Sequence, residues 1–206
     1  MEKCFNIDLS DLKFFHFKNS VSLRGIPCIL SRTGYTGENG FEIYGPWKEG
    51  GKLWDAIIEA GAAPCGLGCR DTLRLEAALM LYGNDITAET TPLEAGIYTL
   101  FVKLESGNFI GRDALLKQKA EGLKRKLVGF TFDEKAIPRH DYLVVDENGA
   151  TVGKVTSGTL SPTLGIPIGL AYVDTKKLSD GSKLFVQIRK NRVAMKQIKV
   201  PFYKNY

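Results

Sequence analysis

Apolar positions along the chain change their period twice, and the changes outline a fold. Residues 26–31 (Ile-Pro-Cys-Ile-Leu-Ser) and 41–44 (Phe-Glu-Ile-Tyr) have strand-like apolar patterning on either side of a glycine-rich loop, which predicts two strands joined through that loop. From Trp47 to Ala60 the residues Leu53, Trp54, Ile57 and Ile58 fall at helical spacing and Gly61 supplies a stop. This stripe predicts a helix with Trp54 in the core. A second helix is expected from about Arg70 to Met80, and a short third one from Phe109 to Gly122. The earlier stretch Leu9–Phe17 carries Phe14, Phe15 and Phe17 and reads as a short strand or the entry to one. After Lys124 the texture shifts to short alternating runs at 127–132, 142–145, 152–156, 169–173, 184–188 and 193–199. Glu147-Asn-Gly149 and Ser179-Asp-Gly181 are turn signals between them. Strands of that length and spacing predict a small barrel or sandwich. The change of texture places a boundary near residues 105–123.

Composition narrows the class without naming a function. With 206 residues, 44% hydrophobic and 25% charged, the chain can bury a real core and is neither disordered nor fibrous. A net charge of +5, with no basic stripe interleaved with stacking aromatics, argues against nucleic acid as a partner. No stretch approaches the ~20 apolar residues needed to span a bilayer, and Met1–Asp8 has neither a signal core nor an arginine-rich presequence. A cytoplasmic protein without membrane contact is the expectation. Cys4, Cys28, Cys65 and Cys69, with only two histidines, do not complete a metal site. They are expected as free, buried thiols behaving as small hydrophobes, and no metal is expected.

The most informative stretch is Ser31-Arg-Thr-Gly-Tyr-Thr-Gly-Glu-Asn-Gly-Phe-Glu-Ile-Tyr44. Gly34, Gly37 and Gly40 allow tight turns or close approach of a ligand. Tyr35, Glu38 and Glu42 offer an aromatic ring and two carboxylates of the kind that recognise a planar heterocycle. Downstream, Pro64-Cys-Gly-Leu-Gly-Cys-Arg-Asp71 sets glycines and Arg70 at the start of the second helix, where backbone N–H groups and a fixed cation can meet an anion. Taken alone, the loop reads first as a glycine-rich connector with solvated charges, and Arg70 first as a partner of Asp71 or Glu76. Arg74 reads as a structural salt-bridge partner on its helix.

In order along the chain come Ser31–Tyr44, Cys65-Gly-Leu-Gly-Cys-Arg-Asp-Thr-Leu-Arg-Leu-Glu-Ala77, Leu81-Tyr-Gly-Asn-Asp-Ile86, Thr91-Pro-Leu-Glu-Ala-Gly96, Phe109-Ile-Gly-Arg112, Thr156–Thr163 and Pro201-Phe-Tyr203. This series resembles the second half of the aminomethyltransferases, the T-proteins of the glycine cleavage system. The resemblance implies an α+β fold: a partial folate-binding, T-protein-like, split ferredoxin-like α/β region over 1–105, a connecting helix over 106–123, and a small antiparallel β-barrel over 124–206. It implies one-carbon metabolism and glycine catabolism, with a one-carbon unit passing from the aminomethyl-lipoyl arm of the H-protein to tetrahydrofolate and ammonia released. By the same resemblance Glu42 grips the pterin, Tyr35 lines the folate pocket and Arg70 meets the glutamate tail. Glu38 and Tyr82 are further candidates for the pocket, and Phe202 and Tyr203 for one of its edges.

The family's chain is much longer, and its amino-terminal half carries an Asn-x-x-Asn-x-x-Lys-Asp segment whose aspartate assists proton movement. No such segment occurs in these 206 residues, so no catalytic residue is assigned and a shortened or cut member is expected. Asp71, Asp85 and Glu38 are available carboxylates that spacing alone does not promote. A separate amino-terminal-half chain, or self-association, is the expected means of completion, with the aromatics near the start as its interface. The alternative is a folate-binding module without catalysis. The RNA-modification branch of the fold is disfavoured because its Lys-Gly-Cys-Tyr/Phe-x-Gly-Gln-Glu signature is missing. Folate-dependent demethylases and the folate domains of dimethylglycine and sarcosine dehydrogenases share the fold.

Overall fold

The computed structural model describes residues 1–97 and 101–204, which divide into two compact units, Met1–Leu73 and Arg74–Lys204. The first opens with α1 (Glu2–Phe5) and builds an antiparallel sheet in the order β1 (Phe17–Leu23), β2 (Ile26–Ser31), β3 (Glu42–Tyr44). Leu23 pairs with Ile26 across a two-residue turn in which Arg24 and Gly25 both have positive φ, 51° and 80°. That geometry matches the twist of the two strands. Alternation along β2 buries Ile26, Cys28 and Leu30. A 3₁₀ turn (Trp47–Glu49) leads into α2 (Gly50–Glu59), whose Leu53 and Ala56 pack on Leu23, Ile26, Cys28 and Phe5.

Two expectations for this unit are corrected. Trp54 is 53% exposed. The buried face of α2 centres on Leu53, Ala56 and Ile57, and Trp54 lies ~100° round the helix from Leu53. The run Leu9–Phe17 is the entry to a strand and not a short strand itself, since β1 begins at Phe17; Leu9 and Leu12 are buried, but the aromatics Phe14, Phe15 and Phe17 are exposed.

The next helix, α3 (Leu67–Glu76), begins before Arg70 and ends short of Met80. Its end is set by Ala78, at φ 55°. There the N–H of Ala78 bonds to Leu75 O and that of Leu79 to Arg74 O, both at 2.8 Å. This is the left-handed termination that usually takes glycine, so the sequence did not announce it.

The second unit carries α4 (Arg112–Glu121) and then β4 (Arg125–Thr131), β5 (Leu143–Asp146), β6 (Thr151–Leu160), β7 (Pro167–Asp174), α5 (Thr175–Ser179), β8 (Leu184–Ile188) and β9 (Asn191–Ile198). All six expected strands form, and they close into an antiparallel barrel in the order β4-β7-β6-β5-β8-β9, with β9 returning to β4 through Gly129↔Ile198 and Thr131↔Lys196. Closure leaves no open edge to pair with another chain. The fold is therefore mixed α and β with an antiparallel barrel. Phe130, Val144, Val155, Val173 and Val186 fill the barrel's interior. Strand β6 runs on past Thr156 because its backbone keeps pairing with β7 as far as Leu160↔Pro167, although Ser157, Gly158 and Thr159 break the apolar alternation. Among the described residues no helix is long and apolar enough to cross a membrane.

Gly153 shows how tightly β6 and β7 approach. A Cβ there would overlap the backbone carbonyl of Tyr172, which the strand pairing holds in place. Gly153→Ala is expected to destabilise the barrel by about 1–3 kcal/mol. Denaturant unfolding checks this, and an unchanged midpoint would contradict it.

Candidate functional site

The loop between β2 and β3 closes directly on Glu42, because Ser31 pairs with Glu42 across the two strands. Of its three glycines only Gly37 takes a positive φ, 73°. Added Cβ atoms at Gly34 and Gly40 would meet nothing closer than 3.9 Å, so the turn needs one glycine rather than three. The latch of the loop is Arg32, which sequence reasoning overlooked. Its Nη1 donates to Leu12 O at 2.8 Å and its Nε to Asn39 Oδ1 at 3.0 Å, so one guanidinium ties the loop to itself and to the preceding segment. A side chain spanning seven and twenty residues leaves no local pattern to read.

Glu42 is half-buried at the start of β3. Its Oε2 accepts hydrogen bonds from the Thr33 hydroxyl and, at 3.2 Å, from the Tyr44 phenol. Thr33 lies 2.9 Å from the Ser31 hydroxyl in turn. The Glu42 charge, its largest influence, raises the Tyr44 phenol above its ordinary value. A carboxylate has about four acceptor positions, and no donor among the described residues takes those on Oε1. The side chain is thus oriented through one oxygen, Oε2.

Tyr35 and Arg70 meet: the guanidinium carbon of Arg70 stands 4.7 Å from the centre of the Tyr35 ring, within cation–π range. Arg70 is exposed, and among the described residues no carboxylate forms an ion pair with it. The expected pairing with Asp71 or Glu76 therefore gives way to the ring. Its own N–H is used on Gly66 O at 3.1 Å, inside a helix that starts one turn earlier than expected. Glu38 is exposed, with its backbone N–H on Thr36 Oγ1 at 3.2 Å. Tyr82 belongs to the second unit, where it is 71% exposed and bridges to Ile86.

The second unit holds a buried polar network of its own. Arg74, 1% exposed, donates from Nη1 to Asp85 Oδ2 at 2.6 Å and from Nη2 to Ser157 Oγ at 2.7 Å. Asp85, fully buried, also accepts from Leu81 N–H at 2.8 Å and Thr156 Oγ1 at 2.5 Å. Arg74 is a structural ion-pair partner, but its carboxylate, Asp85, lies beyond the end of α3 rather than on the same helix as expected. Glu76 accepts from the hydroxyls of Ser161 and Thr163, the latter at 2.7 Å, and from Thr163 N–H at 3.1 Å. Its three partners lie 85 or 87 residues away, beyond local reading. Phe202 packs against Leu75, Leu127 and Ile168, and the Tyr203 N–H binds Glu76 O at 2.9 Å.

The cysteines are all free, but only Cys28 is buried; Cys65 and Cys69 are exposed. They sit at and just before the start of α3, in a run, residues 61–70, that is exposed throughout. No group of three or more metal-ligating side chains occurs among the described residues. A concavity of about 440 Å³ lies beside Tyr44 and Gly45, and one of about 950 Å³ beside Arg24 and Trp47; Tyr35, Glu42 and Arg70 line neither.

Comparison with known proteins gives a consistent result. The family described as the GCVT N-terminal domain matches residues 1–106, and the glycine cleavage T-protein C-terminal barrel domain matches 125–204. Aminomethyltransferase of Thermoanaerobacter pseudethanolicus is 53% identical over 211 residues, covering 100% of this chain and 57% of that protein. Aminomethyltransferase of Listeria monocytogenes serotype 4a is 49% identical over 204 residues, covering 99% and 56%. The crystal structure of glycine cleavage system aminomethyltransferase T from Bartonella henselae superposes with a TM-score of 0.88 at 30% identity, covering 98% of this chain and 56% of that one. The chain thus spans a little over half the length of the relatives it matches.

Proposed function

Since the chain belongs to the glycine cleavage T-protein family, we propose that it supplies the tetrahydrofolate-gripping part of an aminomethyltransferase. In this reading Glu42 takes the donor edge of the pterin. Tyr35 lines the pocket, and Arg70, resting on the Tyr35 ring, takes a carboxylate of the glutamate tail. Glu38, in the same loop, is a further contact. The reaction passes a one-carbon unit from the aminomethyl-lipoyl arm of the H-protein to tetrahydrofolate and releases ammonia. The residues named above bind and orient the acceptor, and none of them is assigned the proton transfer. We assign residues 1–105 to folate binding, 106–123 to the connection and 124–206 to the barrel, a division supported by the ranges the two families match. The setting is cytoplasmic, and no metal is part of the chemistry.

One observation carries the reading: Glu42 is fixed through Oε2 by Thr33 and Tyr44 while Oε1 is left available. A carboxylate held this way is preorganised, so little ordering cost falls on binding. The test is ammonia release from aminomethylated H-protein and tetrahydrofolate, using this chain alone, at raised concentration for self-association, and with the rest of the family's length as a second polypeptide. Folate-dependent release in at least one arm is expected. Background rates in all three would overturn the enzymatic reading. Folate binding with no release in any arm would leave the non-catalytic module, which the purely recognitional character of Glu42, Tyr35 and Arg70 favours.

Arg70 provides a separable prediction. A planar guanidinium matches a carboxylate in a way an ammonium does not. Arg70→Lys is therefore expected to weaken tetrahydrofolate binding by about tenfold and to leave binding of a tail-less tetrahydropterin unchanged. Titration calorimetry with both ligands checks this; an equal loss for both would remove Arg70 from the tail.

A further inference from the structure

Cys65 and Cys69 differ from the other two thiols in being exposed and in lying four residues apart, with Cys69 in the first turn of α3. The Cys69 thiol is raised above its ordinary value first by its hydrogen bond with Cys65, then by burial and by the charge of Cys65. The two sulfurs therefore feel one another, although Cys65 also reaches Ala63 O at 3.6 Å. Side chains four apart on a helix have Cβ atoms ~5–6 Å apart, and a disulfide needs ~3.5–4.5 Å. The missing ångström or so must come from the backbone. Here the backbone can give: Gly66 and Gly68 flank Leu67, and nothing lies within 4 Å of where their Cβ atoms would stand. No packed side chain resists a shift at this point, and Cys65 lies outside the helix.

We propose that Cys65 and Cys69 form a reversible dithiol–disulfide site that exchanges with low-molecular-weight disulfides of the glutathione disulfide class. One cysteine thiolate attacks a sulfur of glutathione disulfide, forming a mixed disulfide and releasing one glutathione thiolate. The second cysteine, having lost its proton, attacks the protein sulfur of the mixed disulfide. The Cys65–Cys69 bond closes and the second glutathione leaves. Two protein thiols lose two protons and two electrons, and one disulfide is reduced to two thiols. An exposed bond that stretches its backbone is of the labile, readily reduced kind, which suits a reversible modification rather than a structural clamp. It would form one residue before Arg70, and it stands whatever ligand the neighbouring loop takes.

The test treats the folded wild-type chain with glutathione disulfide, quenches by alkylation, and maps masses and peptides. The expected product is lighter by two hydrogens, links Cys65 to Cys69, and returns to the dithiol with dithiothreitol. Cys4 and Cys28 should be alkylated only after denaturation. Cys65→Ser and Cys69→Ser, both exposed, should each accumulate a glutathione adduct on the remaining cysteine, because the resolving thiol is gone. Wild-type chain that accumulates glutathione adducts at both positions, fails to react, or forms a disulfide involving Cys28 would overturn the proposal.

Discussion

Glu42→Gln is expected to weaken tetrahydrofolate binding by roughly 100-fold or more. The pterin edge presents N–H donors, and Glu42 Oε1 accepts from that edge with charge assistance. Such bonds contribute about 1.5–3 kcal/mol each, and glutamine replaces one acceptor by an NH₂ that faces a donor. The local fold should survive, since the glutamine carbonyl can keep the Thr33 hydrogen bond that orients Glu42 now. A second readout separates this from general damage. The Glu42 charge holds the Tyr44 phenol above its ordinary value by disfavouring the phenolate, so removing that charge should lower the Tyr44 titration toward the ordinary range. Calorimetry and ultraviolet titration of the same variant check both. Unchanged affinity alongside a lowered Tyr44 titration would show that the charge was removed and that folate never used it.

The largest stability effect is expected at Asp85. Asp85→Ala should destabilise the second unit by about 3–5 kcal/mol, because it strands a buried guanidinium. Arg74 is 1% exposed and its shortest contact is to Asp85 Oδ2, at 2.6 Å. The same change removes the acceptors of Leu81 N–H and of the Thr156 hydroxyl, opening the 81–86 loop. The double variant Arg74→Met with Asp85→Ala should lose clearly less than the sum of the singles, since no charge is then left buried without a partner. Denaturant unfolding of the two singles and the double checks this. Strict additivity would mean that the pair is not coupled.

What the sequence reveals depends on how local the cause is. The barrel strands were legible because each buries alternate residues over a few positions, as Leu184–Ile188 does. Strand β6 was underestimated where polar residues kept the pairing but lost the alternation. Helix α3 was misplaced at both ends: its start is paired to Gly66, and its end rests on an alanine in a glycine conformation. Trp54 read as core because a stripe of apolar residues is wider than the face that finally packs. In the candidate site, the Gly-Tyr-Thr-Gly segment and Glu42 stood out because the loop is one contiguous stretch. The Tyr35–Arg70 contact spans 35 residues and was not foreseen; the family resemblance singled out each residue but not their meeting. Arg32 as a latch, and the reach of Arg74 to Asp85 and, across 83 residues, to Ser157, carry no sequence signal, because the fold alone brings those partners together.

In the proposed function Glu42, oriented from one side, reads the edge of a pterin on the other. A crystal structure of the chain soaked with tetrahydrofolate tests it most directly. The aminopyrimidine edge is expected within hydrogen-bond distance of Glu42 Oε1, with Thr33 still holding Oε2 and the glutamate tail running toward Arg70. A folate seated elsewhere, with Glu42 facing solvent, would contradict it.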